Sequence, residues 1–471
     1  MTLIFDSHPF QYETERLFRS FFPPIKIALS REPNDAQGEY CLTSRHNDGA
    51  DIRLGVRLCA GGQDISRSET LPADTPEKEQ ERALSVLLYE ALRTLTGIAP
   101  PWGILTGVRP VKVLSAVSDE YAVEKLLVSP EKLALARRIS EVHKPLAEGA
   151  KPRTFSLYVS IPFCPSRCSY CSFISHSADR AQGLIDEYLG LLARELSATA
   201  DAARQAGLLL DTVYFGGGTP TVLSAEQLKR LFAALECFDM ARVREFTVEA
   251  GRPDTITREK LLAIKRSGAR RISVNPQTMN DSVLAAIGRR HTADRTRAAY
   301  ALAREVGFDC INTDLIAGLP TDTLESFRAS LDEVVAMRPE NITVHTLSLK
   351  RAAALFRAED AQGGGASQMV DYAHAALSAA GYAPYYLYRQ KNTADNRENT
   401  GYALSGTESI YNMYIMEELQ TILAAGAGGS TKLVEGGRIK RIANFKYPYE
   451  YIDRFNKVIN SKEEIIGFFD K

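Results

Sequence analysis

The sequence predicts an α/β fold: a partial (β/α)6 barrel of the TIM type, preceded by a small α/β domain and followed by an α+β domain. Six apolar runs between residues 157 and 347 alternate with amphipathic stretches that are typical of helices. Polar side chains gather where these runs end, at the edge where parallel sheets carry their sites. The length of 471 residues corresponds to about three domains.

The first 152 residues are predicted to form two segments. Residues 1–96 have helical spacing at 10–21, strand-like alternation at 25–29 and 52–58, and a charged amphipathic helix pattern at 77–95, which together indicate an N-terminal α/β domain. Residues 97–152 begin with a Pro- and Gly-rich stretch and continue as helices, and we interpret them as a linker and helical segment.

The remaining chain is divided at about residue 350. Residues 153–350 contain the alternating units, with strands predicted at 157–161, 211–215, 245–250, 271–274, 311–316 and 341–347. Six units predict an open, partial barrel, whereas eight would predict a complete one. Residues 351–471 are expected to form a C-terminal domain that covers the barrel mouth, with a helix at 368–380, a strand at 383–388, an amphipathic segment at 411–423 and a glycine-rich turn at 423–431.

The composition argues against several classes of protein. Lys and Arg number 57 and Asp and Glu 58, so there is no excess of positive charge to bind nucleic acid. We find no run of about 18 apolar residues, so no membrane-spanning helix is expected. The first residues lack the features of a signal peptide. Four scattered cysteines without a disulfide pattern indicate a reducing cytoplasm.

Three cysteines are the most informative motif. Cys164, Cys168 and Cys171 have the spacing C-x3-C-x2-C and directly follow the first barrel strand. A four-iron cluster normally has four thiolate ligands. Three thiolates leave one iron open to the amino and carboxylate groups of S-adenosylmethionine (SAM), and one electron then breaks the sulfonium bond to release a 5'-deoxyadenosyl radical. The alternative is a structural zinc site with His176 as the fourth ligand.

Other polar residues follow the remaining strands, and each has a functional and a structural interpretation. The glycines of Gly216-Gly-Gly-Thr-Pro220 let a backbone approach a ligand closely, or they form a simple turn. Glu249 and Asp314 suit ribose hydroxyls, or they form salt bridges. Gln277 and His345 also lie at strand ends. Since parallel strands end at the same edge, we expect all of these residues to face one mouth.

With these residues in view, the chain resembles the radical SAM superfamily. More narrowly, it resembles the oxygen-independent coproporphyrinogen III oxidases (dehydrogenases), in the HemZ-like branch with a long N-terminal region. The resemblance covers roughly residues 97–455 and rests on the motifs at 158–171, 214–221, 246–249, 271–277, 287–292 and 314–320.

The resemblance implies a radical SAM barrel with a [4Fe-4S] cluster on Cys164, Cys168 and Cys171. It implies that Tyr158, Gly217 and Glu249 contact the SAM on that cluster. It also implies a second SAM site, so that one or two SAM molecules bind, with the lining residues Tyr170, Gly218, Thr219, Gln277, Arg289 and Asp314. No further catalytic residue is assigned.

The reaction implied is the oxidative decarboxylation of two propionates of coproporphyrinogen III to vinyls, which gives protoporphyrinogen IX in heme biosynthesis. The partners implied are this porphyrinogen and a low-potential electron donor. The chain departs from the family pattern at two positions: Phe173 replaces a further cysteine, and Ser160 replaces a histidine. A related branch without that cysteine is thought to carry heme, so a heme carrier that retains the cluster stays open, with His345, His374 or the tyrosine-rich C-terminal region as candidate heme ligands.

Overall fold

The computed structural model of the chain describes residues 1–22, 27–149, 153–171, 176–348, 353, 355 and 365–470, with the backbone alone at 176–182. The chain divides into two compact units, Met1–Glu141 and Val142–Lys471. No helix in the described part of the chain combines the length and the apolar character that a bilayer crossing requires. The four segments predicted from the sequence remain a prediction.

The first unit is built on a five-stranded sheet in the order β2-β1-β3-β4-β5. Alternate residues of β4, from Ile52 to Leu58, are buried in the same core as Leu84 and Leu88 of α2. The apolar period of two in this strand therefore identifies the face that the helices cover. The strands and helices are β1 (Thr2–Asp6), α1 (Gln11–Arg19), β2 (Ala28–Ser30), β3 (Tyr40–Asp48), β4 (Asp51–Ala60), β5 (Gln63–Pro72), α2 (Glu77–Thr96), α3 (Pro110–Leu114), α4 (Asp119–Glu124) and α5 (Pro130–Glu148), of which α5 continues into the second unit.

The second unit contains the predicted barrel. Six neighbouring strands run parallel in the order β6-β9-β10-β11-β12-β13, and helices connect them. This arrangement confirms the partial six-stranded barrel. Its elements are β6 (Thr154–Ile161), β7 (Phe163–Cys164), β8 (His176–Ser177), α6 (Ala178–Gln205), β9 (Leu209–Gly217), α7 (Ala225–Ala233), β10 (Glu245–Glu249), α8 (Arg258–Arg266), β11 (Arg271–Ser273), α9 (Asp281–Ala286), α10 (Ala293–Val306), β12 (Cys310–Ala317), α11 (Leu324–Met337) and β13 (Asn341–Thr346).

The residues after 365 extend this sheet at both edges. Two strands pair antiparallel beyond β13, and three more follow β6, the first of them parallel to it. The elements are α12 (Ala366–Ala379), β14 (Ala383–Arg389), β15 (Glu398–Ala403), α13 (Ile410–Glu417), β16 (Thr421–Ala425), β17 (Ser430–Glu435), β18 (Arg438–Ala443), α14 (Pro448–Asp453), α15 (Phe455–Asn460) and α16 (Glu463–Phe469). The amphipathic segment predicted over 411–423 is thus part helix and part strand, because Thr421–Ala425 pairs with β6.

The amino-terminal end of the barrel is closed by α13. The Glu245 carboxylate, at the start of β10, accepts hydrogen bonds from the Ser409 hydroxyl and from the backbone amides of Ile410 and Tyr411. A carboxylate at a helix N-terminus satisfies amides that have no partner within the helix. This contact directs Tyr411 into the barrel from below, where it stacks on Tyr214.

Candidate active site at the barrel mouth

The alternation of residues along each strand makes the barrel interior polar. In β6, Phe155, Leu157, Val159 and Ile161 belong to the core shared with the helices. The intervening side chains, Ser156, Tyr158 and Ser160, therefore point the other way, into the barrel. Neighbouring strands follow the same pattern and add Tyr214, Glu249, Ser273, Asn312, Asp314, Thr343 and His345.

The cysteine loop leaves β6 at the carboxyl end of the sheet. The Cys164 sulfur lies 3.4 Å from the Thr219 hydroxyl, and the Cys171 amide donates to the Cys168 carbonyl at 3.1 Å. The Ser169 amide donates to the Ile287 carbonyl at 3.1 Å, which attaches the loop to the end of α9. Among the residues described, no three His, Cys, Asp or Glu side chains are grouped as ligands of one metal ion. In a cluster each thiolate binds a different iron, so such a grouping is not required.

Two residues named from the sequence cannot be placed: Phe173, which stands where the family has a further cysteine, and His176, the candidate fourth zinc ligand. Phe173 lies outside the described residues, and His176 is described by its backbone alone.

Arg252, which the sequence reading did not single out, attaches to the cysteine loop. Its Nε and Nη2 donate to the two carboxylate oxygens of Asp254 at 2.9 and 2.8 Å. Its Nη1 donates to the Ser166 hydroxyl at 3.2 Å and lies 3.7 Å from the Cys168 sulfur. Burial by itself raises the pKa of Asp254, but the neighbouring His291 ring and the hydrogen bonds from Arg252 outweigh it and hold that pKa well below its usual range. Asp254 is therefore ionised, and its carboxylate anchors the Arg252 guanidinium.

The glycines of the triple-glycine motif lie against the chain that leads into the cysteine loop. The Gly218 amide donates to the Ile161 carbonyl and the Thr219 amide to the Phe163 carbonyl, both at 2.8 Å. A Cβ at Gly218 would collide with both carbonyls, and Gly217 has a φ of 104°. The motif thus brings two strand ends close together.

A first group of predicted residues lies at the ends of β6, β9 and β10. The Tyr158 ring stacks against Tyr214 and Tyr411, with centroids 6.1 and 6.4 Å away. The Tyr214 hydroxyl donates to the Glu249 carboxylate at 2.6 Å. Burial raises the pKa of Glu249 to about 7; the hydrogen bond from Tyr214 opposes this rise, and the charge of Asp314 adds to it. Glu249 is therefore an acceptor whose charge changes near neutral pH.

A second group lies at the ends of β11 and β12 and beside the cysteine loop. Arg289 Nη2 donates to the Tyr170 hydroxyl at 3.0 Å, and its Nη1 donates to the Asn275 carbonyl at 3.0 Å. The Gln277 amide donates to the Asp314 carbonyl at 3.0 Å, and Gln277 has a φ of 72°. These bonds connect all four predicted residues: Arg289 holds Tyr170 and, through Asn275, the turn that carries Gln277 next to Asp314.

Asp314 and His345 face one another across the ends of β12 and β13. His345 Nε2 lies 3.6 Å from the Asp314 carboxylate, and His345 Nδ1 lies 3.3 Å from the Tyr388 hydroxyl. The Asn312 amide donates to Asp314 at 2.7 Å. His374, another candidate heme ligand, instead lies 3.4 Å from the Tyr402 hydroxyl.

The structure therefore places all twelve predicted site residues around one barrel mouth. Sequence reasoning missed Arg252, Tyr214 and Tyr411. Tyr214 could have been predicted from the sequence, because it lies two residues before Gly216 and so shares a strand face with it. Tyr411 gave no signal, since only the folded chain brings α13 beneath the barrel.

Comparison with known proteins decides the family. A family model described as the radical SAM superfamily matches residues 158–334. The oxygen-independent coproporphyrinogen-III oxidase-like protein HemZ of Bacillus subtilis is 41% identical over 408 residues, which are 82% of this chain and 81% of that protein.

The chain belongs to this HemZ-like family of radical SAM proteins.

Two further relatives define the breadth of the family. The heme chaperone HemW of Bacillus subtilis is 32% identical over 62% of this chain and 77% of its own. The structure of coproporphyrinogen III oxidase (HemN) from Escherichia coli, described as a radical SAM enzyme, superimposes with a TM-score of 0.54 at 25% identity, over 66% of this chain and 71% of that one. The fold is therefore the radical SAM fold.

Membership of the superfamily implies a [4Fe-4S] cluster and SAM, and it overrules the zinc alternative. The residues at the mouth fit both groups. Three thiols lie on one loop. Several buried polar atoms among the described residues have no hydrogen-bond partner, and they include Thr247 Oγ1, Asn275 Oδ1 and Arg289 Nε. Buried polar atoms without partners are rare in folded proteins. A ligand with amine, carboxylate and hydroxyl groups, such as SAM, supplies the complementary hydrogen bonds.

Proposed function

We propose that this chain is an oxygen-independent coproporphyrinogen III dehydrogenase, which converts two propionates of its substrate to vinyls and yields protoporphyrinogen IX. The observation that carries the proposal is the likeness to the HemZ protein, which extends over 82% of the chain. Two connected groups of residues beside the cysteine loop support it, because they match the two SAM sites that the resemblance implies. We further propose a reducing cytoplasm and a low-potential electron donor as its setting.

The chemistry of the substrate explains why such a site is needed. The β-carbon of a propionate carries strong C–H bonds and no acidic proton, so a general base cannot activate it. When bound, the cluster and SAM supply a 5'-deoxyadenosyl radical that abstracts this hydrogen. Loss of carbon dioxide and of one electron, which an external one-electron acceptor would take up, would then leave the vinyl group. The protein's task is to bind, orient and exclude water.

We assign these tasks to the residues of the mouth. Cys164, Cys168 and Cys171 would hold the cluster, and the first group would hold SAM beside it. Glu249, as a carboxylate, accepts hydrogen bonds from ribose hydroxyls, while the Tyr158 ring offers a flat apolar wall. The rings below Tyr158 fill the barrel and so limit how deep a ligand can enter.

The second group would line the second SAM site, together with Gly218 and Thr219. Arg289 uses both terminal nitrogens on protein atoms, so its first task is to hold Tyr170 in place. Its Nε has no protein partner in the described residues and is the atom that remains for an anionic group. Asp314, held by Asn312, is an acceptor for hydroxyls.

An anaerobic turnover assay tests the proposal. Protein with a reconstituted cluster receives SAM, a low-potential reductant and coproporphyrinogen III, and 5'-deoxyadenosine and protoporphyrinogen are quantified together. We expect one 5'-deoxyadenosine for each propionate removed and no turnover in Cys168→Ala. 5'-Deoxyadenosine without a porphyrin product would assign a different substrate to the same radical chemistry.

The second candidate function is a heme carrier that keeps the cluster. The likeness to the heme chaperone HemW favours it, as does Phe173 in place of the further cysteine. It predicts tight heme binding and no porphyrinogen-dependent cleavage of SAM. Heme titration of wild-type protein, of His345→Ala and of His374→Ala, with His46→Ala at an exposed histidine of the first unit as the control, separates this candidate from the dehydrogenase.

A further inference from the structure

We propose that Arg252 is a positioning residue for the iron–sulfur cluster: its guanidinium donates a charge-assisted hydrogen bond to the Cys168 sulfur and thereby raises the reduction potential of the cluster. Arg252 follows the end of β10 by three residues, and its guanidinium contacts Ser166 and Cys168 of the cysteine loop. Its Nη1 lies 3.7 Å from the Cys168 sulfur.

The guanidinium is fixed in place before any cofactor binds. Its Nε and Nη2 form a two-bond fork with Asp254, and its Nη1 and Nη2 both reach the Ser166 hydroxyl at 3.2 Å. The side chain is only 4% exposed. A planar fork of this kind requires arginine, because lysine offers a single ammonium group that cannot satisfy Asp254 and the loop together.

The same bonds direct the remaining N–H of Nη1 toward sulfur. Because Asp254 occupies the Nε and Nη2 side of the fork, the free edge of the guanidinium faces Ser166 and Cys168. Cys168 is itself buried, so water does not compete for this contact. The buried His291 ring lies 3.7 Å behind Asp254 and closes the far side.

A hydrogen bond from a cation has a defined effect on a cluster. Reduction adds one negative charge to the cluster, and a neighbouring guanidinium stabilises the reduced form more than the oxidised form. The effect is strong where burial limits screening by solvent. Arg252 therefore makes the cluster easier to reduce by the external low-potential donor, without contacting SAM or substrate.

The test is a potentiometric titration of the reconstituted, full-length protein, in which dithionite reduces the cluster and electron paramagnetic resonance follows it. We expect the midpoint potential of Arg252→Gln to move to a more negative value than that of wild type. Arg252→Lys, which keeps the charge but loses the fork, should lie between the two. Arg270→Gln removes an arginine that lies just before β11 and is 81% exposed, and its midpoint should equal that of wild type.

The variant Ser166→Ala distinguishes an effect of Arg252 on the reduction potential from a purely structural role in holding the loop. This variant loses the hydroxyl that ties the loop to Arg252 but keeps the contact to sulfur, so we expect the iron content to change and the midpoint to stay. Midpoints in Arg252→Gln and Arg252→Lys that equal wild type at full iron and sulfide content would overturn the inference. Because the titration contains no porphyrinogen, it gives the same answer whether or not the chain is a dehydrogenase; a wild-type chain that binds no cluster would instead refute the cofactor assignment.

Discussion

The two groups of residues at the barrel mouth differ in how their charge is controlled. The first, with Tyr158, Tyr214 and Glu249, is aromatic and contains a buried carboxyl whose pKa is raised to about 7. The second is built around Arg289, which burial alone would make easier to deprotonate but whose pKa is held above its usual value by Tyr170 and Cys168. One side of the mouth can thus change its charge near neutral pH, whereas the other side stays cationic. The cysteine loop contacts the second side twice, through Cys164 beside Thr219 and through Tyr170 beside Arg289.

Removal of a cluster ligand has the largest expected effect, because both sides of the mouth serve a SAM cleavage that needs the cluster. Cys168→Ala should abolish SAM cleavage and lower the iron content, since a cluster with two protein ligands is not retained. Iron and sulfide analysis together with 5'-deoxyadenosine formation measures both. Cys237→Ala, at a half-buried thiol outside the loop, is the matched control and should retain the cluster. Equal iron in the two variants would contradict the assignment.

The first side depends on a buried ion pair behind it. Glu195 accepts hydrogen bonds from Lys462 Nζ at 2.6 Å and from the Gly426 amide at 2.7 Å, and Gly426 packs against Ser160 of β6. Glu195→Gln leaves the ammonium of Lys462 buried without its counter-charge, which should lower the free energy of unfolding by about 3–5 kcal/mol. Anaerobic urea unfolding measures this change.

The control for that variant is Glu226→Gln, which breaks an exposed pair with Lys229. It should cost less than about 1 kcal/mol. If the two variants lose similar stability, Glu195 does not support the barrel in the way that its contacts indicate.

The second side is tested by Tyr170→Phe, which removes the hydroxyl that accepts a hydrogen bond from Arg289. A hydrogen bond to a charged group contributes about 1.5–3 kcal/mol, so porphyrin formation should fall roughly 10- to 100-fold. The cluster content should stay unchanged, because Tyr170 is not a ligand. Tyr449→Phe, at an exposed tyrosine, is the control. A loss of iron in Tyr170→Phe would show that the hydroxyl holds the cysteine loop rather than the second site.

The last expected effect is a dependence of stability on pH that belongs to the first side. The pKa of Glu249 rises from its ordinary 4.5 to about 7 in the folded chain. Below pH 4.5 the neutral Glu249 carboxyl therefore adds to the free energy of unfolding. This stabilisation is lost as the pH rises through 7. Relative to Glu249→Gln, wild-type protein should lose stability over this interval, measured as the free energy of unfolding at successive pH values.

Tyr214→Phe sharpens the same prediction. It removes the hydrogen bond that lowers the pKa of Glu249, so the loss of stability should move to higher pH. A pH profile that is identical in wild type, Glu249→Gln and Tyr214→Phe would show that Glu249 does not titrate in this range.

The comparison also shows which parts of the site a sequence can reveal. The six strands and the residues at their ends were predictable, because the period of two and the common edge of a parallel sheet are local rules. Arg252 was not, although it lies three residues after Glu249, since its contacts are to Asp254 and to Ser166 and Cys168 of a loop far earlier in the chain.

The C-terminal region was the hardest to predict. Residues 411–423 were predicted only as an amphipathic segment, and Thr421–Ala425 forms a buried strand beside β6. The partner strand lies more than 250 residues away, so pairing overrides local preference. In the same way, the sequence contains no sign that β14 and β15 extend the opposite edge of the barrel.

The most direct test of the proposed function follows one hydrogen atom. Coproporphyrinogen III deuterated at the β-carbons of its propionates is incubated anaerobically with reduced, cluster-loaded protein and SAM, and the 5'-deoxyadenosine is analysed by mass spectrometry. The proposed function predicts that deuterium appears in 5'-deoxyadenosine in step with the formation of protoporphyrinogen IX. 5'-Deoxyadenosine that contains no deuterium, formed at the same rate with and without the porphyrinogen, would contradict the proposal that this mouth oxidises propionates.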